Sequence, residues 1–267
     1  MISFRNIYYS IDGRSILEDI TFDVQHGRTT VILGPSGSGK STTLRLLLGL
    51  ARPDSGSILV DDVDITQVAE GQLRLIRQRM GMVFQQGALF DSMTVGENVA
   101  FSLIEHDGNI PDEELERTVR EHLQLVGLDP DLIDRMPDQL SGGMQRRVAI
   151  ARALAARNPQ MLLYDEPTTG LDPQSSERIT DLIVELRDRM EKTSIMVTHD
   201  IADAFKVANS IAVLNEGRLV FDGTSQQLAE TNEPFLNDFL APFRKAVGSA
   251  SRVVLTGPGA SPPRGSS

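Results

Sequence analysis

The sequence predicts an α/β fold in which a mostly parallel sheet carries helices on both faces and ends in an antiparallel edge. Strand-like and helix-like patterns alternate at residues 29–48 and again at residues 161–214. Between these blocks, residues 91–157 place apolar side chains at helical spacing, which predicts a helical insertion. The run Asn215-Glu216-Gly217 lies between two apolar stretches and predicts the hairpin that forms the antiparallel edge.

Length and composition limit the classes of protein to consider. With 267 residues the chain is long enough for one large domain or two small ones with an ample core. A net charge of −11 argues against a general nucleic-acid binder, and the absence of cysteine leaves neither disulfides nor thiolate metal sites. No apolar run approaches the roughly 20 residues that a membrane-spanning helix needs. We therefore expect any role at a membrane to act through a partner.

A glycine-rich loop, GPSGSGKS at residues 34–41, follows an apolar strand and leads into a helix. Glycines let the backbone curl so that successive N–H groups point at phosphate oxygens. Lys40 brings a full charge to the β- and γ-phosphates, and the hydroxyl of Ser41 suits a Mg²⁺ ligand. The positions that we expect to bind nucleotide are Gly34, Pro35, Ser36, Gly37, Ser38, Gly39, Lys40, Ser41 and Thr42.

Two carboxylates end a later strand. Asp165 and Glu166 follow four apolar residues, which places them at the carboxyl edge of the sheet, near the glycine loop. There Asp165 suits the binding of Mg²⁺ through water, and Glu166 suits the activation of an attacking water. An acidic turn without a catalytic role is the alternative, and the glycine loop upstream favours the site.

A second candidate anion site lies in the helical insertion. Ser141 is a good helix N-cap, and two glycines after it expose backbone N–H groups at the start of a helix. The turn consists of Leu140, Ser141, Gly142, Gly143 and Met144. The insertion separates this turn from the glycine loop, so the two do not obviously serve the same phosphates.

The order of these three motifs resembles that of the ATP-binding cassette (ABC) ATPases, over residues 2–239. The resemblance implies a P-loop NTPase core with an antiparallel β subdomain and a helical signature-motif subdomain. It places the ATPase domain at residues 1–242, the helical subdomain at about 88–157, and a largely disordered tail at 243–267.

The resemblance also implies roles for individual residues. Gln85 matches the Q-loop, Leu171 and Asp172 match the D-loop, and His199 matches the switch histidine. The residues implied in catalysis are Glu166, His199, Gln85 and Lys40, and those implied at Mg²⁺ are Ser41, Gln85 and Asp165. The family forms a head-to-tail homodimer with two ATP molecules, each between one chain's glycine loop and the other chain's signature turn.

Tyr9 has two alternative roles. The family usually stacks adenine on an aromatic residue upstream of the glycine loop, and Tyr9 is a candidate for that contact. Alignment through Leu17, however, puts Ile11 at the family's position. A place for Tyr9 in the core is the other alternative.

Two further details resemble one group within the family. Met144 follows the signature glycines, and QQGALF at residues 85–90 follows a strand. Both are similar to the MlaF-like ATPases of Mla- and Mce-associated phospholipid transporters. The implied partners are an MlaE-like integral-membrane permease, a small accessory subunit and a lipid-binding Mce-type protein, with no nucleic acid. The implied location is cytoplasmic, on the inner face of the cell membrane.

Other functions remain open at this point. An ATPase of an amino-acid or other solute importer is one alternative, and a non-transport ABC scaffold ATPase is another. Within the segment beside the Q-loop, Leu89 and Phe90 either contact a permease or cover the core of the helical insertion.

Overall fold

The computed structural model describes residues 1–107, 110–156 and 159–249. The strands there are β1 (Ile2–Ile11), β2 (Arg14–Val24), β3 (Thr29–Leu33), β4 (Ser55–Val60), β5 (Val63–Asp64), β6 (Met80–Val83), β7 (Met161–Asp165), β8 (Thr193–Thr198), β9 (Ser210–Asn215) and β10 (Arg218–Gly223). The helices are α1 (Lys40–Leu47), α2 (Glu70–Arg77), α3 (Val95–Asp107), α4 (Asp112–Leu125), α5 (Gly142–Ala155), α6 (Pro173–Met190), α7 (Ile201–Val207), α8 (Ser225–Glu230) and α9 (Pro234–Ser249). Two short 3₁₀ helices, Pro130–Asp134 and Pro137–Gln139, lie between α4 and α5.

The strands form two sheets. The larger has the order β10-β9-β3-β8-β7-β6, and all its neighbours pair in parallel except β10 with β9. The smaller is antiparallel with the order β2-β1-β4-β5. The mixed fold predicted from the sequence is therefore confirmed, including the hairpin at the antiparallel edge.

The larger sheet is buried on both faces. Every residue of β3 and β8 is buried, as expected for parallel strands covered on two sides. Side chains alternate along β3, so that Val31 and Leu33 enter one apolar core and Ile32 enters the other. The first core joins the sheet to the helical subdomain, and the second joins it to α1 and the antiparallel sheet.

The helical subdomain packs against the sheet through α5. Ten residues of α5 are buried, and the helix contacts α3, α4, α6 and β6. Helices α3 to α5 lie within the range predicted for this subdomain, although residues 108, 109 and 157 fall outside the described part of the chain. Helix α5 begins at the signature turn and contacts β6, the strand that precedes the Q-loop. It therefore connects two segments that contain candidate site residues.

The predicted boundary at residue 242 lies inside a helix. Helix α9 continues to Ser249, with Pro242 in its interior. Phe235, Phe239 and Phe243 recur at four-residue spacing on α9, and the ring of Phe243 lies 4.9 Å from that of Phe205 on α7. The expectation of a disordered tail from residue 243 is thus wrong for residues 243–249, because the apolar stripe of α9 continues past the boundary. Residues 250–267 lie outside the described part.

Within the described part of the chain, none of the helices has both the length and the apolar character needed to cross a bilayer.

Candidate functional site

Four neighbouring strands bring the predicted motifs to one edge of the larger sheet. The order β3-β8-β7-β6 is parallel throughout, so the carboxyl ends of these strands share an edge. The glycine loop follows β3, His199 follows β8, and Asp165 and Glu166 lie at the end of β7. Gln85 comes two residues after β6 and is exposed. Ligands of open α/β sheets bind at such edges.

The glycine loop can take its path only without side chains at two positions. A Cβ atom on Gly34 would lie 2.1 Å from the carbonyl oxygen of Leu214, and one on Gly39 would lie 2.5 Å from a methyl carbon of Leu17. Gly39 also has φ of 102°, in the region that favours glycine. The loop is therefore held against β9 and β2 by close contacts of its backbone.

The loop ends in groups that suit a phosphate anion. Helix α1 begins at Lys40, and its N-cap residue Gly39 offers no side-chain cap. The first N–H groups of α1 and the positive end of its dipole therefore face the loop. The Oγ atom of Ser38 is buried without a hydrogen-bond partner among the described residues. An anion bound in the loop would accept hydrogen bonds from the Ser38 hydroxyl and from the first N–H groups of α1.

The Lys40 ammonium is held inside the loop. Its Nζ atom donates to the carbonyl oxygens of Gly34 and Pro35, both at 2.9 Å, and lies 3.7 Å from Oε1 of Glu166. Burial lowers the pKa of Lys40, whereas the negative charges of Glu166 and Asp165 oppose that shift. An anion at the loop would compete with the two carbonyls for the ammonium protons.

Ser41 and Asp165 form a pair of oxygen ligands beside the loop. The hydroxyl of Ser41 donates to Oδ1 of Asp165 at 2.9 Å. Burial raises the pKa of Asp165; the neighbouring charge of Glu166 adds to this, and the Ser41 hydrogen bond opposes it. Across the described residues, no group of three or more His, Cys, Asp or Glu side chains could hold a metal ion. A hydroxyl with one carboxylate fits a Mg²⁺ ion that keeps phosphate oxygens and water as its other ligands.

Glu166 is held in the site by hydrogen bonds from its backbone and its side chain. Its residue is 8% exposed, and its backbone has φ of 47°, which is uncommon for a residue with a side chain. The backbone N–H donates to the carbonyl of Val197 at 2.9 Å. Oε2 accepts from the hydroxyl of Thr169 at 2.8 Å and lies 2.7 Å from Nδ1 of His199. The turn thus places the buried carboxylate of Glu166 between Lys40 and His199.

The structure brings together five of the predicted site residues through hydrogen bonds or ion pairs: Lys40, Ser41, Asp165, Glu166 and His199. Gln85 shares the sheet edge with them, but within residues 1–107, 110–156 and 159–249 no hydrogen bond or ion pair joins it to the cluster.

The signature turn forms a separate exposed site. The hydroxyl of Ser141 caps α5 by accepting from the backbone N–H of Met144 at 3.3 Å, and Ser141 and Gly142 are exposed. Leu140 is buried and Met144 packs against the first core. No hydrogen bond or ion pair among the described residues joins this turn to the glycine loop of the same chain. The second candidate anion site is thus open to an external ligand.

The D-loop touches the signature turn. Asp172 caps α6 by accepting from the backbone N–H of Ser175 at 3.0 Å. A Cβ atom on Gly142 would lie 3.3 Å from Leu171, and one on Gly143 would lie 2.8 Å from Oγ of Ser175. The glycines of the signature turn therefore also permit close packing of α5 on the start of α6.

Tyr9 takes a place against the core. It is partly buried, pairs with Leu17 across the β1–β2 ladder and packs against the second core. Leu17 in turn contacts the glycine loop at Gly39. Of the two predicted alternatives, the packing role is the one that the contacts of Tyr9 support, and Ile11 at the family's position is 44% exposed.

Several supporting residues were not identified from the sequence. Arg146 and Arg152 of α5 donate to backbone carbonyls of the Q-loop segment, at Phe84, Gly87 and Ala88. The buried side chain of Asn98 bonds the backbone N–H and carbonyl of Phe90. These contacts depend on tertiary structure, and no local pattern in the sequence marks them.

A second unpredicted link runs from the active edge to α7. The hydroxyl of Thr168 donates to Oδ2 of Asp203 at 2.5 Å, and burial raises the pKa of this carboxyl. Because Thr169 bonds Glu166 and Thr168 bonds Asp203, one turn connects the central carboxylate with the helix that follows His199.

Comparison with known proteins agrees with this arrangement. A family model described as ABC transporter matches residues 17–169. The intermembrane phospholipid transport system ATP-binding protein MlaF of Escherichia coli K12 is 37% identical over 264 residues, which cover 96% of this chain and 97% of that protein. The methionine import ATP-binding protein MetN of Carboxydothermus hydrogenoformans is 40% identical over 226 residues, which cover 84% of this chain and 66% of that protein.

A solved structure shares the fold at considerable sequence identity. The dimeric post-hydrolysis structure of the ATP-binding cassette MJ0796, bound to ADP and Pi, superimposes with a TM-score of 0.75 at 34% identity. The match covers 84% of this chain and 98% of that chain.

Proposed function

Because this chain belongs to the ABC transporter family and is an ATP-hydrolysing subunit, we propose that it powers phospholipid transport through a separate membrane permease. Hydrolysis of ATP is supported by the buried carboxylate of Glu166, which lies between Lys40 and His199. The lipid part is supported by the likeness to MlaF, which covers 96% of this chain and so includes α9.

ATP is bound by the glycine loop in this proposal. Lys40 exchanges its loop carbonyls for the β- and γ-phosphate oxygens, and the N–H groups at the start of α1 bond the same phosphates. Ser41 and Asp165 would hold Mg²⁺, with Gln85 as a further ligand. Bound there, Mg²⁺ would neutralise charge on the phosphate oxygens.

Hydrolysis follows from the position of Glu166. As the oxygen of the attacking water bonds the γ-phosphorus, the bond from that phosphorus to the bridging oxygen breaks and ADP leaves. The Glu166 carboxylate accepts a proton from this water, while Lys40 and His199 stabilise negative charge on the γ-phosphate. Glu166 is already oriented by Thr169 and by the backbone of Val197, which fixes the position of the carboxylate before ATP binds.

The open signature turn completes the site of a second copy. Each copy contributes a glycine loop to one ATP and Ser141 with its helix N-terminus to the other. The dimeric MJ0796 cassette bound to ADP and Pi supports such a pairing. Closure driven by ATP and reopening after hydrolysis would shift the permease between its conformations.

A groove beside the Q-loop suits the permease contact. It encloses about 410 Å³ and is bordered by Phe84, Phe90 and Phe101 from the Q-loop segment and α3. Phe84 and Phe90 are 43% and 40% exposed, whereas Leu89 packs against the first core. The two predicted roles of this segment are therefore divided, with Leu89 in the core and Phe90 available to an apolar helix of the permease.

Substitution of Phe90 tests the groove. Phe90→Asp should abolish co-purification with the permease and leave ATP binding unchanged, because Phe90 lies on the groove and not on the glycine loop. Leu50→Asp is the matched control, since Leu50 is an exposed apolar residue outside the groove lining. Intact co-purification of the Phe90 variant would reject the contact.

The transported substrate is tested on the native assembly. The chain should be isolated from membranes with its partners, and the bound small molecules should be identified by mass spectrometry. A multispanning permease with phospholipid supports the proposal, together with a peripheral location on the cytoplasmic face. The likeness to MetN favours an amino-acid importer as the second candidate, and a permease that binds amino acids would select it. Recovery of soluble partners alone would indicate a non-transport scaffold.

A further inference from the structure

Arg146 is a buried cation that bridges two parts of the active edge. It lies on α5 and is 5% exposed. One terminal nitrogen donates to the carbonyl of Phe84 at 2.7 Å, and the other donates to the carbonyl of Thr169 at 3.4 Å. The planar guanidinium is suited to holding two acceptors at a fixed separation.

Both acceptors adjoin residues with proposed roles in hydrolysis. Phe84 immediately precedes Gln85. Thr169 donates its hydroxyl to Oε2 of Glu166 at 2.8 Å. The backbone on which each functional side chain depends is thus fixed to the same guanidinium.

The charge of Arg146 has no carboxylate partner within the described part of the chain. Burial lowers its pKa, and no other influence accompanies that shift. Burying a cation without an ion pair is unfavourable, and an apolar side chain could fill the same space without that penalty. Packing therefore does not account for an arginine at this position.

We propose that Arg146 is a positioning residue that holds Gln85 and Glu166 at one spacing. The proposal rests on the proposed roles of those two residues. Arg146 thus connects α5, which begins at the signature turn, with the carboxylate that activates water. Arg146 touches neither the substrate nor the reacting atoms. It acts through the two backbone turns that contain Phe84 and Thr169.

The first test compares arginines that are neighbours on α5. Arg146→Met should lower kcat about tenfold and leave KM within about twofold, because the reacting groups are displaced but ATP binding is retained. Arg146→Lys should recover about a third of the lost rate, since an ammonium reaches one carbonyl but cannot hold both. Arg147→Met is the matched control, because Arg147 donates to the carbonyl of Gly127 in the helical subdomain.

The outcomes separate positioning from general stability. A loss of kcat in Arg146→Met that exceeds the loss in Arg147→Met at equal loss of Tm supports the proposal. Equal losses of kcat in the two variants, or a change in Tm alone, would overturn it. If Arg146→Met does not fold, Arg146→Lys decides by the same criterion, with lowered kcat at constant KM as the supporting result.

The second test distinguishes this proposal from the role of Glu166 itself. In a Glu166→Gln background, Arg146→Met should lower the residual rate by only about twofold, because the Glu166 carboxylate is already lost and only Gln85 is left to be displaced. A further tenfold loss, as additive effects would give, would overturn the positioning role. Wild-type turnover in Glu166→Gln alone would instead reject the proposed role of Glu166.

Discussion

Nδ1 of His199 lies 2.7 Å from Oε2 of Glu166, so the switch histidine and the central carboxylate are hydrogen-bonded. A carboxylate only accepts, and the ring must therefore donate from Nδ1. In the neutral ring this leaves Nε2 as an acceptor, which cannot donate to a phosphate oxygen. A contact from His199 to the γ-phosphate thus requires either a second proton on the ring or release of Glu166.

Replacing His199 should impair hydrolysis more than replacing the other partner of the same oxygen. His199→Ala removes the group that we propose stabilises charge on the phosphate, and it should lower kcat about a hundredfold at little changed KM. Thr169→Val removes only a hydrogen bond to Oε2 and should lower kcat about threefold. Steady-state phosphate release measures both. Equal losses would show that His199 serves only to hold Glu166.

Replacing Glu166 by Gln should separate ATP binding from hydrolysis. The amide keeps the shape of the side chain and loses the proton acceptor, so kcat should fall by at least about a hundredfold. ATP binding and ATP-dependent dimerisation should persist and are measured by fluorescent-nucleotide titration and light scattering. Rapid turnover in this variant would remove Glu166 from the role of general base.

Asp165→Asn should stabilise the protein at neutral pH and abolish Mg²⁺-dependent hydrolysis. Burial raises the pKa of Asp165 above that of the unfolded chain. The carboxyl therefore contributes its full stability below its unfolded pKa, about 4, and loses it as pH rises through the folded pKa. The amide keeps an oxygen for Ser41 and removes the buried charge. Tm should rise by about 2 °C at pH 7.

The pH dependence of the difference in Tm shows whether the gain in stability comes from removing the charge of Asp165. Thermal unfolding of wild type and Asp165→Asn without Mg²⁺ should show a difference in Tm that shrinks as pH falls toward the unfolded pKa. Ser41→Ala is the control, because it removes the hydrogen bond to Asp165 and retains the charge. A gain in Tm that is independent of pH would contradict the assignment to ionisation.

Gly143→Ala should destabilise the contact between α5 and α6. The added Cβ would lie 2.8 Å from Oγ and 2.9 Å from Cβ of Ser175, so one helix must shift. Overpacking of this size should lower Tm by about 5 °C. Ser175→Gly in the same protein should restore part of that loss, as measured by calorimetry. An unchanged Tm in the single variant would show that the close approach is absent in solution.

The sequence predicts those parts of the site whose chemistry is local. The glycine loop, the carboxylates at the end of β7 and the cap at Ser141 are each made by consecutive residues, and their geometry follows from their order. The parallel sheet then brings the ends of separate strands together, so the cluster around Glu166 could also be anticipated.

The contacts that support the site could not be anticipated. Arg146 reaches a carbonyl 62 residues away and another 23 residues away, and any residue can offer a backbone carbonyl. No pattern of side chains therefore reveals the partners of Arg146. The extent of α9 differs from the predicted boundary at residue 242 because Pro242 is accommodated within the helix and the aromatic stripe continues to Phe243.

In the proposed dimer, Ser141 of one copy completes the ATP site begun by Lys40 of the other. Because the chain has no cysteine, single thiols can be placed at will, and Ser36 and Ser141 are both exposed. Glu166→Gln proteins carrying either Ser36→Cys or Ser141→Cys should be mixed with ATP and a short bis-maleimide, with Glu113→Cys in place of Ser141→Cys as the control. We expect a covalent heterodimer that forms only in the Ser36–Ser141 mixture and only with ATP. Absence of that product while ATP is bound, or a crosslink within one chain carrying both thiols, would contradict it.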